Sequence, residues 1–221
     1  MKKILLFYLF LLLPFLAFAS PVQIGNLFYE LSSTDKTAEV TSPAFEEGVT
    51  DIELVIPDKV TYDGVTYAVK KIRQSAFWGC RTITSLIISE GVESIGESAF
   101  GVCGSICSLT LPNSLKKIGD LAFFASSQLA SVIIPKNVEE IGYQAFNFNS
   151  MSSIVVNEDN PYFDSRNNCN ALIETATNTL LTGCKNTVIP NTVTAIGDGA
   201  FSNCRFTSIQ LPYGIKSIGN S

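Results

Sequence analysis

Six cysteines, one acidic trio and no histidine make up the stock of reactive side chains in this chain of 221 residues. Without histidine there is no Ser-His-Asp or Cys-His nucleophile pair, and no zinc site built on imidazole. Glu158, Asp159 and Asp164 are near enough in sequence to hold a calcium ion. The plainer expectation for such a trio is a solvated acidic loop. No Gly-rich phosphate loop occurs, and no spacing places two carboxylates in a cleft. Cys-x-x-Cys is absent, which argues against a redox enzyme. The chain is therefore expected not to be an enzyme and to need neither cofactor nor metal.

The ends of the chain bound its location. Lys2 and Lys3 precede an unbroken apolar run from Ile4 to Phe18, and Ala17-Phe18-Ala19 supplies a small-x-small step. This reads as a signal peptide, residues 1–19, cut before Ser20. The run is short for a membrane-spanning helix. Loss of the two lysines takes the net charge from −5 to −7. An acidic chain with no basic patch excludes nucleic acid and anionic membranes as partners. After cleavage the protein is expected to be secreted or on the cell surface, with no membrane insertion.

What positions the side chains is repetition. Ile-Gly recurs at Ile95, Ile118, Ile141, Ile196 and Ile218, and Ala-Phe at Phe77, Phe100, Phe123, Phe146 and Phe201. The period is 23 residues, broken once between Asn157 and Pro190. Upstream of each Pro step (Pro112, Pro135, Pro190, Pro212) lies an apolar-x-x-apolar-x-apolar run whose end alternates as a short strand does. Pro ends it, because Pro cannot donate to a ladder. A second short apolar run leads to Ile-Gly, where glycine is expected to permit a sharp corner. Ala-Phe should then form a short helical turn with Phe plugging the core. A unit this small cannot bury its own apolar face, whereas stacked copies can, with parallel strands ~4.8 Å apart.

The strand pattern and period match the leucine-rich-repeat signature. The segments "LPNSLKKIGDLAFFAS" from Leu111, "IPNTVTAIGDGAFSNC" from Ile189 and "IPDKVTYDGVTYAVKKIRQSAFWGC" from Ile56 carry a more specific likeness, as does the interruption "NPYFDSRNNCNALIETATNTLLTG" from Asn160. The chain resembles the BspA-type (Treponema pallidum-type) leucine-rich-repeat surface proteins over roughly residues 24–221. That resemblance implies a secreted or surface-exposed protein associated with adhesion to host matrix proteins and to other cells. It carries over no functional residue, since the shared positions are scaffold. The expected architecture is a β-rich α/β leucine-rich-repeat right-handed solenoid with a parallel β-sheet and short helical turns. Residues 20–66 should form an N-terminal β cap segment. Residues 67–221 should form the solenoid, with a hairpin interruption at about 158–184.

The cysteines divide by slot. Cys80, Cys103 and Cys204 each lie three residues after the Ala-Phe phenylalanine, where other copies have Ser126 or Asn149. This slot reads as small and tucked in. Cys80 and Cys103 fall on adjacent copies within disulfide range, and export permits oxidation. Side chains stacked in parallel have poor disulfide geometry, so buried thiols are expected. Cys169 and Cys184 bracket the interruption and are the next-best pair; Cys184, in an apolar strand slot, should be buried.

Outward strand positions speak to partners. Ile87, Thr110, Ile133, Val155 and Val188 should form one row, beside a row of Ser85, Ser108, Ser131 and Ser153. An exposed, uncharged stripe of this kind suits a protein or glycan partner, with host matrix proteins among the candidates. It is equally what a sheet selects for its own sake. Charge alternates along another row: Lys70 and Lys71, then Glu93 and Ser94, Lys116 and Lys117, Glu139 and Glu140. Lys116 or Lys117 should reach Glu93 on one side and Glu139 or Glu140 on the other, fixing register. The chain stops at Ile218-Gly219-Asn220-Ser221, before an Ala-Phe turn, so the last copy is expected either to fray or to continue in a longer protein.

Overall fold

The computed structural model describes residues 20–147, 150–204, 206 and 208–220. Residues 1–19, expected from the sequence to be a signal peptide, lie outside the described residues. The architecture is a β-rich leucine-rich-repeat fold. The second apolar runs pair in parallel, so that Ile72, Ile95, Ile118 and Ile141 stand side by side. The first runs pair in parallel in two sets: Ile52–Ile56, Ile83–Ile88 and Ser108–Thr110, then Ser131–Ile134 with Ser153–Val156. At the N-terminal side, Val22–Ile24, Leu27–Ser32 and Thr37–Pro43 form an antiparallel meander, and its last strand joins Val65–Ile72 in parallel.

The Ala-Phe turn is not helical, contrary to expectation. Among the described residues the helical element is a single 3₁₀ turn, Arg166–Asn168. The residue before Ala-Phe is left-handed in every copy: Ser75, Ser98, Leu121, Gln144 and Gly199 all have φ between 51° and 64°. One left-handed residue breaks a right-handed turn. It also frees alternate N–H groups to reach the next copy, as Phe77 N does to Ala99 O and Phe100 N to Ala122 O, each at 2.8 Å. The turn therefore becomes a third hydrogen-bonded seam between copies. Beneath it the phenylalanines stack. Ring centroids are 4.9 Å apart for Phe77–Phe100, 5.4 Å for Phe100–Phe123 and 5.3 Å for Phe123–Phe146, with planes within 6° of parallel.

The Ile-Gly glycines have a different reason from the one expected. None of Gly96, Gly119 or Gly142 is left-handed; instead each lies against the turn of the preceding copy. A Cβ there would meet backbone nitrogen of Gln74, Glu97 or Asp120 at 2.4, 2.6 and 2.3 Å. Close approach, not a corner, demands glycine. The first copy has no such turn before it, and Arg73 occupies the slot. Its guanidinium spans Glu30 and Glu39 on the meander, which fastens that element to the repeats.

The small slot after Ala-Phe also gains a role. Cys103 Sγ–H donates to the Phe77 carbonyl at 3.0 Å, and Ser126 Oγ–H donates to the Phe100 carbonyl at 3.1 Å. Both link one copy to the one before it. Asn149 lies outside the described residues.

The ion pairs expected from the charge alternation form. Lys70 Nζ lies 2.8 Å and Lys116 Nζ 3.0 Å from the two oxygens of Glu93, while Lys117 Nζ is 2.5 Å from Glu140. Neighbouring lysines thus point to opposite sides in the stack: Lys116 pairs backward and Lys117 forward. Hydrogen bonds from Lys70 and Lys116 hold the Glu93 carboxyl below its ordinary pKa. A depressed acid stabilises the fold above its unfolded-state value, about 4.3, and loses that contribution as pH falls through its lower folded value. Glu93→Gln should therefore melt below the parent at pH 6, with the difference narrowed at pH 3. Parallel thermal melts at the two pH values check this.

The interruption divides the core. One apolar cluster runs from Leu27 to Val156 and takes in Phe163, Leu172 and Cys184; a second holds Ile173, Leu180, Ile189, Val193 and Ile196. The expected hairpin is present, Ala171–Glu174 antiparallel to Thr179–Gly183. Its second strand takes the place of an Ile-Gly strand, pairing in parallel with Ala195–Ile196. Asn147 spans the break, its amide donating to Gly199 O at 2.7 Å and accepting from Thr182 Oγ1 at 3.4 Å. In the last copy Leu211 and Ile218 are exposed, where Ser217–Ile218 pairs on one side only.

Candidate binding face

Parallel pairing of the first apolar runs turns their buried positions inward and their alternate positions to solvent. Leu54, Leu86, Val132 and Ile154 are buried, while Ile87, Thr110, Ile133 and Val155 are exposed. Ile87 is in register with Thr110, and Ile133 with Val155. The row begins one strand earlier than the sequence reading placed it. Val55, exposed and in register with Ile87, belongs to it. Ala44-Phe45 precedes Ile52–Ile56, but it stands 32 residues before Phe77 rather than 23, so this copy falls outside the regular period. Ile133 is the most open of the strand residues, at 66%. The neighbouring row of Ser85, Ser108, Ser131 and Ser153 runs in the same register.

Val188 is exposed at 72% but does not continue the ladder. The loop of the interruption stands between it and Val155. Val156 N–H donates to Ser165 Oγ at 3.0 Å, and Val188 N–H donates to the Cys169 carbonyl at 3.0 Å. Those are contacts a neighbouring strand would otherwise make. Asn160 explains how the loop arises. It fills the slot that holds Val92, Leu115, Val138 or Val193 in other copies, and like them it is buried. Its amide donates to the Pro135 and Val138 carbonyls at 2.8 and 3.0 Å. Its oxygen accepts from Tyr162 N and Phe163 N at 2.8 and 2.9 Å. A polar residue in an apolar slot is thus fully satisfied, and it turns the chain out of the repeat.

The acidic trio does not converge. Asp164 is tied to Arg166 at 2.5–3.0 Å, while Glu158 and Asp159 face solvent. Among the described residues no three acidic or thiol groups lie together as a metal site would need. All six cysteines are free thiols. Cys103, Cys169 and Cys184 are buried, Cys80 and Cys204 half-buried, and Cys107 exposed. Burial pushes the Cys103 thiol up to about 12 and Cys204 up to about 11, so both are protonated and poor nucleophiles at neutral pH. Among the described residues no helix is long and apolar enough to cross a membrane.

A period of parallel strands, one apolar face in and one face out, with a seam of tight turns, defines the leucine-rich-repeat class. The chain belongs to the BspA-type leucine-rich-repeat family, whose BspA type leucine rich repeat region matches it in six copies over residues 59–173 and 178–221. A search of the curated proteins finds no match. Among solved structures, a leucine-rich repeat protein from Bacteroides ovatus is 24% identical, with a TM-score of 0.66, over 90% of this chain and 55% of that one. One from Bacteroides capillosus is 27% identical, with a TM-score of 0.55, over 62% of this chain and 99% of that one. The pneumococcal vaccine antigen PcpA is 18% identical, with a TM-score of 0.59, over 91% of this chain and 66% of that one.

Proposed function

We propose that the chain is an exported, non-enzymatic binding protein of the cell surface, in which the repeats wind as a right-handed solenoid and the strand face meets protein or glycan partners. Adhesion to host matrix proteins is the activity this reading favours. In it, residues 1–19 direct export, 20–66 cap the first copy, and 67–221 form the solenoid. The observation that carries it is the exposed, uncharged row of Ile87, Thr110, Ile133 and Val155 across two neighbouring sheets, extended by Val55. Exposed apolar surface in a continuous row marks interaction sites more often than isolated residues do. Repeat arrays suit such a role because their surface grows with each copy and needs no cleft. The test uses residues 20–221 immobilised against purified host matrix proteins and cell-wall glycans. Binding of one of them, lost in the Ile133→Lys, Val155→Lys double variant at unchanged melting temperature, is the expected result. Binding that survives both substitutions moves the site off the strand face. No binding at all leaves a scaffold segment of an exported protein as the better reading.

A further inference from the structure

Where the strand face meets the interruption, the surface is not flat. Ile133 and Val155 are the exposed apolar residues of an open groove of about 600 Å³, which Asn157, Glu158, Arg166, Asn167 and Asn168 also line. The volume is in the range of sites that hold ligands. The wall is held in place rather than draped. Arg166 donates to Asp164, to Asn178 Oδ1 at 2.8 Å and to Thr192 Oγ1 at 3.1 Å, tying the loop to the hairpin and to the next copy. Ser165 is bonded to the strand edge at Val156, and Asn160 anchors the loop's start. A groove whose walls are already fixed loses little conformational entropy when something enters it.

Its chemistry narrows what enters. The Arg166 charge is cancelled by Asp164. Glu158, which lines the groove, and its chain neighbour Asp159 have no ion-pair partner among the described residues, and both are exposed. The lip is therefore negative and the floor apolar. Asn167 and Asn168 are exposed and held left-handed at φ 58° and 52°. Their amides each carry a donor and an acceptor, the complement of a peptide group. No aromatic ring is among the described lining residues to stack on a sugar.

We infer that this groove takes an extended protein segment in which an apolar side chain is followed by lysine or arginine. The apolar side chain rests on Ile133 and Val155, the cation meets Glu158 and Asp159, and the asparagine amides hold the intervening backbone. The inference rests on the strand face being a binding surface, and it makes the partner a protein rather than a glycan.

Fluorescence anisotropy on residues 20–221 tests it with labelled hexapeptides that differ at two central positions: Val-Lys, Val-Glu and Ser-Lys. The Val-Lys peptide should bind at least tenfold more tightly than the other two. Its affinity should fall at least tenfold in Glu158→Lys, Asp159→Lys and again in Ile133→Lys, with melting temperatures unchanged. Equal binding of the three peptides, no binding at millimolar peptide, or indifference to the lip substitutions overturns the inference. So does displacement-sensitive binding of a soluble hexasaccharide in the same groove. Matrix-protein binding that is lost in the Ile133→Lys, Val155→Lys variant but kept in the Glu158→Lys, Asp159→Lys variant would leave the strand-face function standing and remove the groove.

Discussion

Phe100→Ala should lower stability by about 3–5 kcal/mol in a urea or guanidinium melt, the range for truncating a fully buried phenylalanine. Phe100 is fully buried and lies between two parallel rings, at 4.9 Å from Phe77 and 5.4 Å from Phe123. Truncation empties a site that a ring faces on either side. Each stacked pair contributes a further ~0.5–1.5 kcal/mol beyond its area, and both pairs are lost at once. Because each copy is stabilised mainly through its neighbours, the deletion should also weaken coupling along the array. A shallower transition, or two resolved ones, is the expected shape. Phe100→Leu should keep roughly half of the lost stability, since it fills most of the space without the stacking. A loss below about 1 kcal/mol for the alanine variant would mean the ring column relaxes, contrary to the packing described.

Asn160 gives the second large effect, and in the less intuitive direction. Restoring the apolar residue of the other copies, as Asn160→Val, should destabilise the chain by about 2–4 kcal/mol, because buried groups that lose their partners cost about 1–3 kcal/mol each. Four backbone groups bond this side chain: the Pro135 and Val138 carbonyls, and the Tyr162 and Phe163 amides, with the Pro135 carbonyl also accepting from Val138 N at 3.4 Å. Valine fits the slot by volume but satisfies none of them. Asn160→Asp should cost at least as much, because it keeps the acceptor but sets a buried carboxylate oxygen against the Pro135 and Val138 carbonyls. Denaturant melts of the three chains check the order. A valine variant as stable as the parent would show that the chain can leave the repeat without the amide, and that the loop is held by Arg166 alone.

Both predictions turn on features only half visible in the sequence. The phenylalanine column was legible because its spacing of 23 residues holds without error over three successive intervals, and a large apolar side chain in each copy has nowhere to go but inward. Asn160 was not legible, although its position was countable. It stands three residues after Asn157, in a slot that is apolar elsewhere, and nothing in its type announces that the amide would be buried. Only the convergence of two carbonyls from the previous copy with two amides from its own makes that burial tolerable. The cysteine slot behaves alike. Its smallness could be read from Cys, Ser and Asn sharing it, but the bond to the preceding phenylalanine carbonyl needs the stacked neighbour.

Local pattern determined the period, the two apolar runs per copy, the inward face, the hairpin and the alternation of Lys and Glu, because each depends on residues near in sequence or one period apart. Contact between copies decided the rest. The glycine of Ile-Gly is required by a turn that lies a whole repeat away, where a Cβ would strike backbone. The Ala-Phe turn is left-handed at its start because alternate N–H groups are drawn to the next copy. Arg73 replaces that glycine where no earlier turn presses on it, and it ties the meander to the array instead. Val188 has the right spacing for the exposed row, yet the interruption wedges between it and Val155, and the same wedge makes the groove. A repeat can be counted along the chain, but which face stays open depends on what packs against it from the neighbouring copy.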